Sequence, residues 1–371
     1  MKKINNPFVI QGYQGKKYFC DRESELQLLK EHLLNDRNFT LYGWRRLGKT
    51  SLLMRLAEEV KKEKYKMLFI DLSTCRDIED LQLKTVEVVY EAVGKTAKKN
   101  ILQKLHQIIG SLGVSMTFDP MTGLPGFSLS ANNKTEETPS LKLLFQFLSD
   151  LEQNIIVVFD EFQQINHFIH SNTEASIRSL AQEFPDLRFA FSGSHRGIMQ
   201  SMFNSPNRPF YKSTQIVDLR PIELEEYQQF IQNHFKTHKK EIKPPLIKQI
   251  YEWSRGETYS IQLLCNRLFA RTEKPTEDNF IQICKEVLKE QSHLYSEWLN
   301  LLPYNQVKLL KAMANEEAVK SPTSKSFIQQ YGLGATSSVQ TALNGLLDKE
   351  IIFKDQGNYY IHDVLFGKWL A

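Results

Sequence analysis

The stretch Gly43-Trp44-Arg45-Arg46-Leu47-Gly48-Lys49-Thr50 decides how the first half of this chain is interpreted. It has the spacing of a phosphate-binding loop, in which the glycines let backbone N–H groups turn inward around the phosphates of a nucleotide. In such a loop Lys49 reaches the outer phosphates and the Thr50 hydroxyl binds Mg²⁺. These eight residues and the following Ser51 are therefore the candidate nucleotide ligands.

The residues on either side of the loop support this interpretation. Residues 39–42 form a short alternating run typical of a strand, and residues 51–60 have the apolar spacing of a helix. The motif requires this order of strand, loop and helix, because the helix dipole and its free N–H groups attract phosphate. The alternative, a chance glycine turn before an ordinary helix, is disfavoured by this context.

A second signal is the run of five apolar residues 155–159, which is followed by Asp160 and Glu161. Consecutive β-branched residues predict a strand buried on both faces of a parallel sheet. Ligands of such sheets lie beyond the carboxyl ends of the strands, so Asp160 is predicted to hold Mg²⁺ opposite Thr50. Glu161 is predicted to polarise the attacking water. The alternative is a core strand with an acidic exit.

Two further candidates lie downstream of this strand. Residues 187–194 predict another strand, and Ser192 or Ser194 at its end could bind the γ-phosphate or the lytic water; a serine-rich turn that only caps the next helix is the alternative. Arg208 lies on a proline-bracketed loop, where its guanidinium could neutralise charge in the transition state. An ordinary surface arginine is the alternative there.

The order of patterns predicts three domains. Alternating strands and helices up to residue 200 predict a doubly wound parallel α/β sheet of the P-loop NTPase class in a core of residues 1–220. Helical spacing over 224–235, 245–253, 261–271 and 278–290 predicts an all-α lid of residues 221–298. Three helices and a hairpin over 299–371 predict a winged helix-turn-helix. A β-hairpin at about 113–131, followed by a polar linker over 131–138, is inserted in the core; we interpret it as a surface loop or a docking arm.

Composition sets the class of protein. A chain of 371 residues exceeds the size at which one core stops growing. The four cysteines form no Cys-x-x-Cys pair, which predicts reduced thiols rather than a disulfide or zinc framework. The chain starts without the apolar segment of a secretory signal and has no run that could span a membrane. We therefore expect a cytoplasmic protein without membrane partners.

The winged helix-turn-helix raises the question of DNA binding. Residues 300–371 contain seven lysines, no arginine and six carboxylates, which is a weak electrostatic footprint for nucleic acid. Ser337, Gln340 and Asn344 on its third helix could still contact bases. DNA binding therefore stays an alternative to a regulatory or protein-binding role.

With these residues identified, the chain resembles the archaeal-type ATPase branch of the STAND NTPases, relatives of the AAA+ group. The resemblance rests on residues 19–26 (Phe-Cys-Asp-Arg-Glu-Ser-Glu-Leu), on the loop, on residues 159–161 and on Ser192-Gly193-Ser194. Residues 208–211 resemble the family loosely, and Thr258 stands where the family has a proline in its Gly-x-Pro turn. The resemblance implies that Phe19 and Arg22 lie against an adenine, so that the nucleotide is ATP rather than GTP.

These inferences predict an ATP-dependent molecular switch. Mg²⁺ and ATP are the expected cofactor and substrate, hydrolysis is expected to be slow, and an unidentified protein partner or self-association is expected besides ATP and ADP. A DNA-binding ATPase is the first alternative. A small-molecule kinase is disfavoured, because Glu161 directly follows Asp160 and no acceptor pocket is recognisable in the sequence.

Overall fold

A computed structural model describes residues 5–94, 98–122, 124–129, 137–168 and 172–371. The chain divides into two compact units. The C-terminal unit comprises Met1–Asp21, Arg45–Gly48 and Pro221–Ala371, and the α/β unit comprises Arg22–Trp44 and Lys49–Arg220. The tip of the glycine loop thus belongs to the C-terminal unit, whereas its two ends belong to the α/β unit.

The α/β unit contains seven strands and seven helices among the described residues. The strands are β1 (Phe39–Gly43), β2 (Tyr65–Asp71), β3 (Val114–Phe118), β4 (Pro125–Leu129), β5 (Asn154–Asp160), β6 (Arg188–Gly193) and β7 (Gln215–Leu219). The helices are α1 (Glu23–Leu34), α2 (Lys49–Lys61), α3 (Ile78–Val93), α4 (Lys99–Ser111), α5 (Glu137–Ser149), α6 (Thr173–Glu183) and α7 (Arg196–Asn204).

Five of these strands form one parallel sheet in the order β2-β5-β6-β1-β7. Ile155 to Phe159 of β5 are almost completely buried, because other strands flank β5 on both sides and helices cover both faces. The predicted doubly wound α/β class is confirmed. The edge strand β7 was not predicted, since it is short and its apolar residues alternate with polar ones.

The predicted hairpin is present as the antiparallel pair β3 and β4. It packs against α3 through Phe127 and Tyr90, whose ring centroids lie 5.4 Å apart, while Met121 at its tip is 95% exposed. Residues 131–136 of the predicted linker lie outside the described residues. Glu137 and Thr138 begin α5, so this part of the linker prediction is wrong: acidic residues and a proline suit the first turn of a helix as well as they suit a linker.

The C-terminal unit is helical apart from one hairpin. Its elements are α8 (Leu224–Thr237), α9 (Pro244–Trp253), α10 (Thr258–Arg271), α11 (Glu277–Asn300), α12 (Tyr304–Glu316), α13 (Lys325–Tyr331), α14 (Thr336–Asp348), β8 (Ile352–Asp355), β9 (Asn358–Ile361) and α15 (Val364–Leu370). This confirms an all-α lid followed by a winged helix. The predicted domain boundaries stay predictions.

Helix α11 extends ten residues beyond residue 290, where the prediction ended it. Its N-terminus has a capping box between Thr276 and Asn279. Its C-terminal half is stabilised by tertiary packing, since Tyr295 lies 5.1 Å from Phe366 and 5.7 Å from Trp369, measured between ring centroids. Polar residues around residue 292 interrupt the apolar spacing, so the sequence pattern did not predict this half of the helix.

Two predictions from composition can be compared with the structure. All four cysteines are free and buried. Burial raises the pKa of the Cys75 thiol to about 11, which keeps this thiol protonated and unreactive at neutral pH. In the described part of the chain, no helix combines the length and the apolar character that a membrane crossing requires.

Candidate functional site

The glycine loop leaves β1 at Gly43 and enters α2 at Lys49. A Cβ at Gly43 would lie 2.6 Å from the Leu219 carbonyl oxygen of β7, so this position requires glycine. Gly48 has φ +87°, a conformation that side chains disfavour. The buried Lys49 ammonium donates hydrogen bonds to the carbonyl oxygens of Gly43 (3.1 Å) and Trp44 (2.9 Å). The sequence pattern therefore corresponds to a loop whose backbone can approach a phosphate closely.

Around the loop, the nine predicted ligands differ in exposure. Leu47 is 2% exposed and serves packing. Arg45, Arg46 and Thr50 are exposed, whereas Trp44 and Ser51 are half-buried. Thr50 and Ser51 lie in the first turn of α2, where unpaired backbone N–H groups attract anions.

The α/β unit brings Thr50 and Asp160 together. The Thr50 hydroxyl donates to Asp160 Oδ2 at 2.8 Å, and the Ser192 hydroxyl donates to Asp160 Oδ1 at 2.6 Å. The cause is the sheet order: β5 and β1 both neighbour β6, so the ends of the three strands meet at one edge. Asp160 is 7% exposed, and these bonds fix both of its oxygens.

These oxygens are suitable ligands for magnesium. A hydroxyl and a carboxylate 2.8 Å apart are hard oxygen donors of the kind that Mg²⁺ takes when it also binds nucleotide phosphates and water. Among the described residues, no group of three or more His, Cys, Asp or Glu side chains could form an all-protein metal cage. The hydroxyl and carboxylate oxygens of Thr50 and Asp160 fit a magnesium ion that arrives with a nucleotide.

Glu161 follows Asp160 in a left-handed conformation with φ +52°. Its Oε2 accepts hydrogen bonds from Ser194 Oγ at 2.6 Å and from Gln163 Nε2 at 2.5 Å. The Ser194 hydroxyl is thus directed to the carboxylate. Left-handed backbone at a residue other than glycine is strained, and such strain concentrates at functional sites.

Gln163 is a site residue that the sequence did not reveal. It is completely buried, and a Cβ at Gly193 would lie 2.6 Å from its Oε1 and 2.5 Å from Met199 Sδ. Gly193 therefore makes room for the side chain that holds Glu161. Gln163 and Gly193 lie next to each other only because β5 pairs with β6. Their spacing in the sequence therefore gives no indication that Gln163 belongs to the site.

Arg208 lies apart from this array. It donates to Asn166 Oδ1 at 2.7 Å and forms an ion pair with Glu174 at the start of α6. Burial raises the pKa of Glu174, against the opposing effect of Arg208. Within the described residues, the structure joins Arg208 to these two partners rather than to Lys49 or Asp160.

The two residues assigned through the family resemblance differ in their surroundings. Arg22 is 3% exposed, has φ +68° and binds Glu25 at 2.7 Å. Its buried Nη2 has no hydrogen-bond partner among the described residues, so the guanidinium can still donate to a ligand. Phe19 belongs to the C-terminal unit, where its ring lies 5.7 Å from that of Tyr13.

The loop tip makes contacts in the C-terminal unit that the sequence did not predict. Arg45 pairs with Glu350, and Arg46 pairs with Asp363 at 3.0 Å. Asp363 also caps α15, since its Oδ1 accepts the Phe366 N–H at 3.0 Å. Both carboxylates belong to the winged helix.

The backbone of the tip is held by the first turn of α10. The Tyr259 N–H donates to the Arg46 carbonyl at 3.2 Å, and the Thr258 hydroxyl donates to the Leu47 carbonyl at 3.3 Å. The threonine that replaces the family's proline therefore supplies a donor that proline lacks. The same hydroxyl accepts a bond from Tyr227 at 2.9 Å.

Comparison with known proteins agrees with this geometry. An ATP-binding protein of Methanocaldococcus jannaschii is 28% identical over 182 residues, which are 46% of this chain and 45% of that relative. The chain thus aligns with about half of that relative's length. A Walker-type ATPase of Pyrococcus abyssi has a similar fold, with a TM-score of 0.67, 19% identity and coverage of 98% of this chain and 99% of that one. The ORC2 protein of Aeropyrum pernix, in its ADPNP–ADP complexes, follows with a TM-score of 0.62, 13% identity and coverage of 98% and 97%.

The family assignment rests on sequence. Residues 293–371 match a winged helix domain. Residues 19–264 match the family described as an ATPase domain predominantly from Archaea. This match covers well over half of the 371 residues and confirms the resemblance to archaeal-type ATPases. The chain belongs to the family of ATPase domains found predominantly in Archaea.

Proposed function

We propose that this protein binds ATP with Mg²⁺, hydrolyses it slowly and uses the nucleotide state to control the arrangement of its domains. The observation that carries the proposal is the pairing of two loop-tip arginines with two winged-helix carboxylates, Glu350 and Asp363. The loop continues into Lys49 and Thr50, the two residues assigned to the phosphates and the metal. A change at the phosphates can therefore be passed along the loop backbone to Arg45 and Arg46 and, through their ion pairs, to the winged helix. Membership of the STAND branch is part of this proposal.

The chemical roles follow from the contacts in the α/β unit. Lys49 exchanges its bonds to the loop carbonyls for phosphate oxygens, and the loop and α2 supply N–H donors. Thr50 and Asp160 would hold the magnesium ion, which neutralises charge on the phosphates. Glu161 accepts a proton from the attacking water, and Ser194 acts as a positioning residue for it. The name of the Methanocaldococcus relative as an ATP-binding protein supports adenine as the base.

Three further residues have secondary roles in the proposal. The free Nη2 of Arg22 donates to the nucleotide, and Phe19 packs against the adenine. Arg208 senses the γ-phosphate, in its own chain or in a neighbouring copy, and must leave Glu174 to do so. The role of Arg208 can be tested by substitution. An Arg208→Ala variant should bind ATP as tightly as the parent does, but its domain arrangement should no longer depend on the γ-phosphate.

The test combines binding, hydrolysis and shape. Calorimetry on the full chain should give saturable ATP binding that requires Mg²⁺, and phosphate release should occur without an added acceptor. Size-exclusion chromatography with light scattering should then differ between ADP and a non-hydrolysable ATP analogue. Absence of ATP binding sinks the whole proposal. If the protein binds and hydrolyses ATP but its chromatographic behaviour does not depend on the nucleotide, the switch is wrong and the protein is an ordinary ATPase.

A DNA-binding ATPase is the second candidate. It is favoured by one observation: Ser337, Gln340 and Asn344 are all exposed on α14, as base-contacting side chains must be. The Gln340 amide donates to Asn344 at 2.9 Å, which places them on one face. Salt-dependent retention on duplex DNA that a Gln340→Ala and Asn344→Ala double variant loses would favour this candidate.

A further inference from the structure

The C-terminal unit contains a cavity of about 420 Å³ that the proposed hydrolysis does not use. Pockets for small organic ligands span roughly 300–1,000 Å³, so the cavity has the size of a ligand site. Four segments line it: the loop tip, the end of α11, the turn before β8 and the start of α15. It therefore lies where the loop meets the winged helix.

Large apolar side chains make up a large part of the lining of this cavity. Trp298, Leu301, Leu302, Ile351 and Phe366 contribute to it. Leu301 is 80% exposed and Trp298 is 40% exposed, so apolar surface of both side chains is left in contact with water. A polar residue at position 301 would serve the fold equally well. An apolar ligand that covers Leu301 and Trp298 removes this surface from water.

Charged groups also line the cavity. Arg45 and Arg46 line the cavity together with their partners Glu350 and Asp363. Burial opposes the charge of Arg46, but the nearby Asp363 and Glu257 more than offset it and raise the pKa of Arg46. Each of these two ion pairs is neutral overall.

Lys349 differs from the two arginines. Lys349 lines the cavity, and its ammonium donates to the neutral Gln306 Oε1 at 3.0 Å. No carboxylate of the described residues lies within ion-pair distance of it. Together with the two balanced pairs, Lys349 gives the lining an excess of one positive charge. His362 adds a ring that can donate or accept a hydrogen bond.

We propose that this cavity binds a small organic acid, with an apolar body against Leu301 and Trp298 and one carboxylate at Lys349. The acid serves as an input to the switch, and this part rests on the proposed function. Arg45 and Arg46 belong both to the cavity wall and to the glycine loop. Occupation of the cavity therefore changes the affinity of the loop for ATP, and ATP changes the affinity for the acid by the same factor.

The experiment uses octanoate as the probe and octan-1-ol as its neutral counterpart, with calorimetry on the full chain. Octanoate should bind saturably with one molecule per chain, and octan-1-ol should bind at least about tenfold more weakly. Lys349→Gln should weaken octanoate by about tenfold and leave octan-1-ol unchanged. Leu301→Ser should weaken both several-fold. Lys354→Gln is the matched control, since its ammonium lies near the Tyr359 ring and outside the cavity.

Two results would overturn the site: no saturable octanoate binding, or equal octanoate affinity in the parent and in Lys349→Gln. Neither result touches the proposed ATPase. The same titration on Lys49→Ala separates the two proposals, because this variant is expected to lose ATP and to keep the cavity. If octanoate binds but ATP affinity is the same with and without it, the site stands and its role as an input is wrong.

Discussion

The Arg46 guanidinium lies 3.0 Å from Asp363 Oδ2, while the other oxygen of Asp363 accepts the Phe366 N–H. One carboxylate thus holds the tip of the glycine loop and the first turn of α15. Arg46 is 40% exposed, so the pair adds at most about 1 kcal/mol to stability. Its importance lies in the connection that it makes.

Asp363→Asn tests this connection. Asparagine caps a helix as well as aspartate does, so the unfolding free energy should change by less than about 1 kcal/mol. The loop tip loses its charged partner, and the dissociation rate of a fluorescent ADP analogue should rise by about two- to fivefold. Stopped-flow fluorescence measures this rate. Asp348→Asn, at an exposed position of α14, is the control. A dissociation rate equal to that of the parent would contradict the coupling.

Lys49→Ala should abolish ATP binding. Among the described residues, the buried Lys49 ammonium is the only cation of the loop that donates to carbonyl oxygens of the loop. Phosphate oxygens are expected to replace these carbonyl oxygens when ATP binds. Calorimetry should show affinity reduced by at least about a hundredfold. Lys61→Ala, at the exposed end of the same helix, should bind as the parent does. An unchanged affinity in Lys49→Ala would show that the nucleotide lies elsewhere.

The sequence predicted the parts of this site that depend on local pattern. Lys49 and Thr50 follow from the motif, and Asp160 follows from an apolar run with an acidic end. The contacts of Gln163 with Glu161 and of Arg46 with Asp363 were not predictable, because they join residues from different elements whose spacing in the sequence is unrelated. The same holds for the second half of α11, which packs on aromatic residues about 70 positions away.

Glu161→Gln should bind ATP and hydrolyse it at least about a hundredfold more slowly, since a general base contributes about 10²–10⁴-fold. The amide can keep the bond from Ser194 and cannot accept a proton from water. Phosphate release at saturating ATP measures the rate, and Glu152→Gln, at an exposed position before β5, is the control. Turnover at the rate of the parent would mean that another group is the base.

Ser194→Ala separates positioning from catalysis. It removes the 2.6 Å hydrogen bond to Glu161 and leaves the carboxylate with the Gln163 amide. Hydrolysis should fall by about tenfold at unchanged KM, because a hydrogen bond to a charged group contributes about 1.5–3 kcal/mol. Ser194→Thr keeps the hydroxyl and should restore most of the rate. A rise of KM in Ser194→Ala would instead indicate contact with ATP.

Glu257, at the start of α10, should make stability depend on pH. Burial raises its pKa to about 7 from 4.5, against the opposing effects of Ser260 and Arg46. Between these two values the folded chain holds a proton at this carboxyl that the unfolded chain has lost. The unfolding free energy therefore falls as the pH rises from 4.5 to 7, by up to about 3 kcal/mol.

Glu257→Gln should remove this dependence, so that the variant gains stability relative to the parent as the pH rises from 5 to about 7.5. Urea unfolding followed by tryptophan fluorescence measures the difference, since Trp253, Trp298 and Trp369 all lie in the C-terminal unit. Burial lowers the pKa of His234 to about 4, which gives a slope of opposite sign below pH 6.5. That slope is common to both proteins and cancels in the comparison. Parallel curves for the parent and the variant would show that Glu257 is ionised in the folded chain.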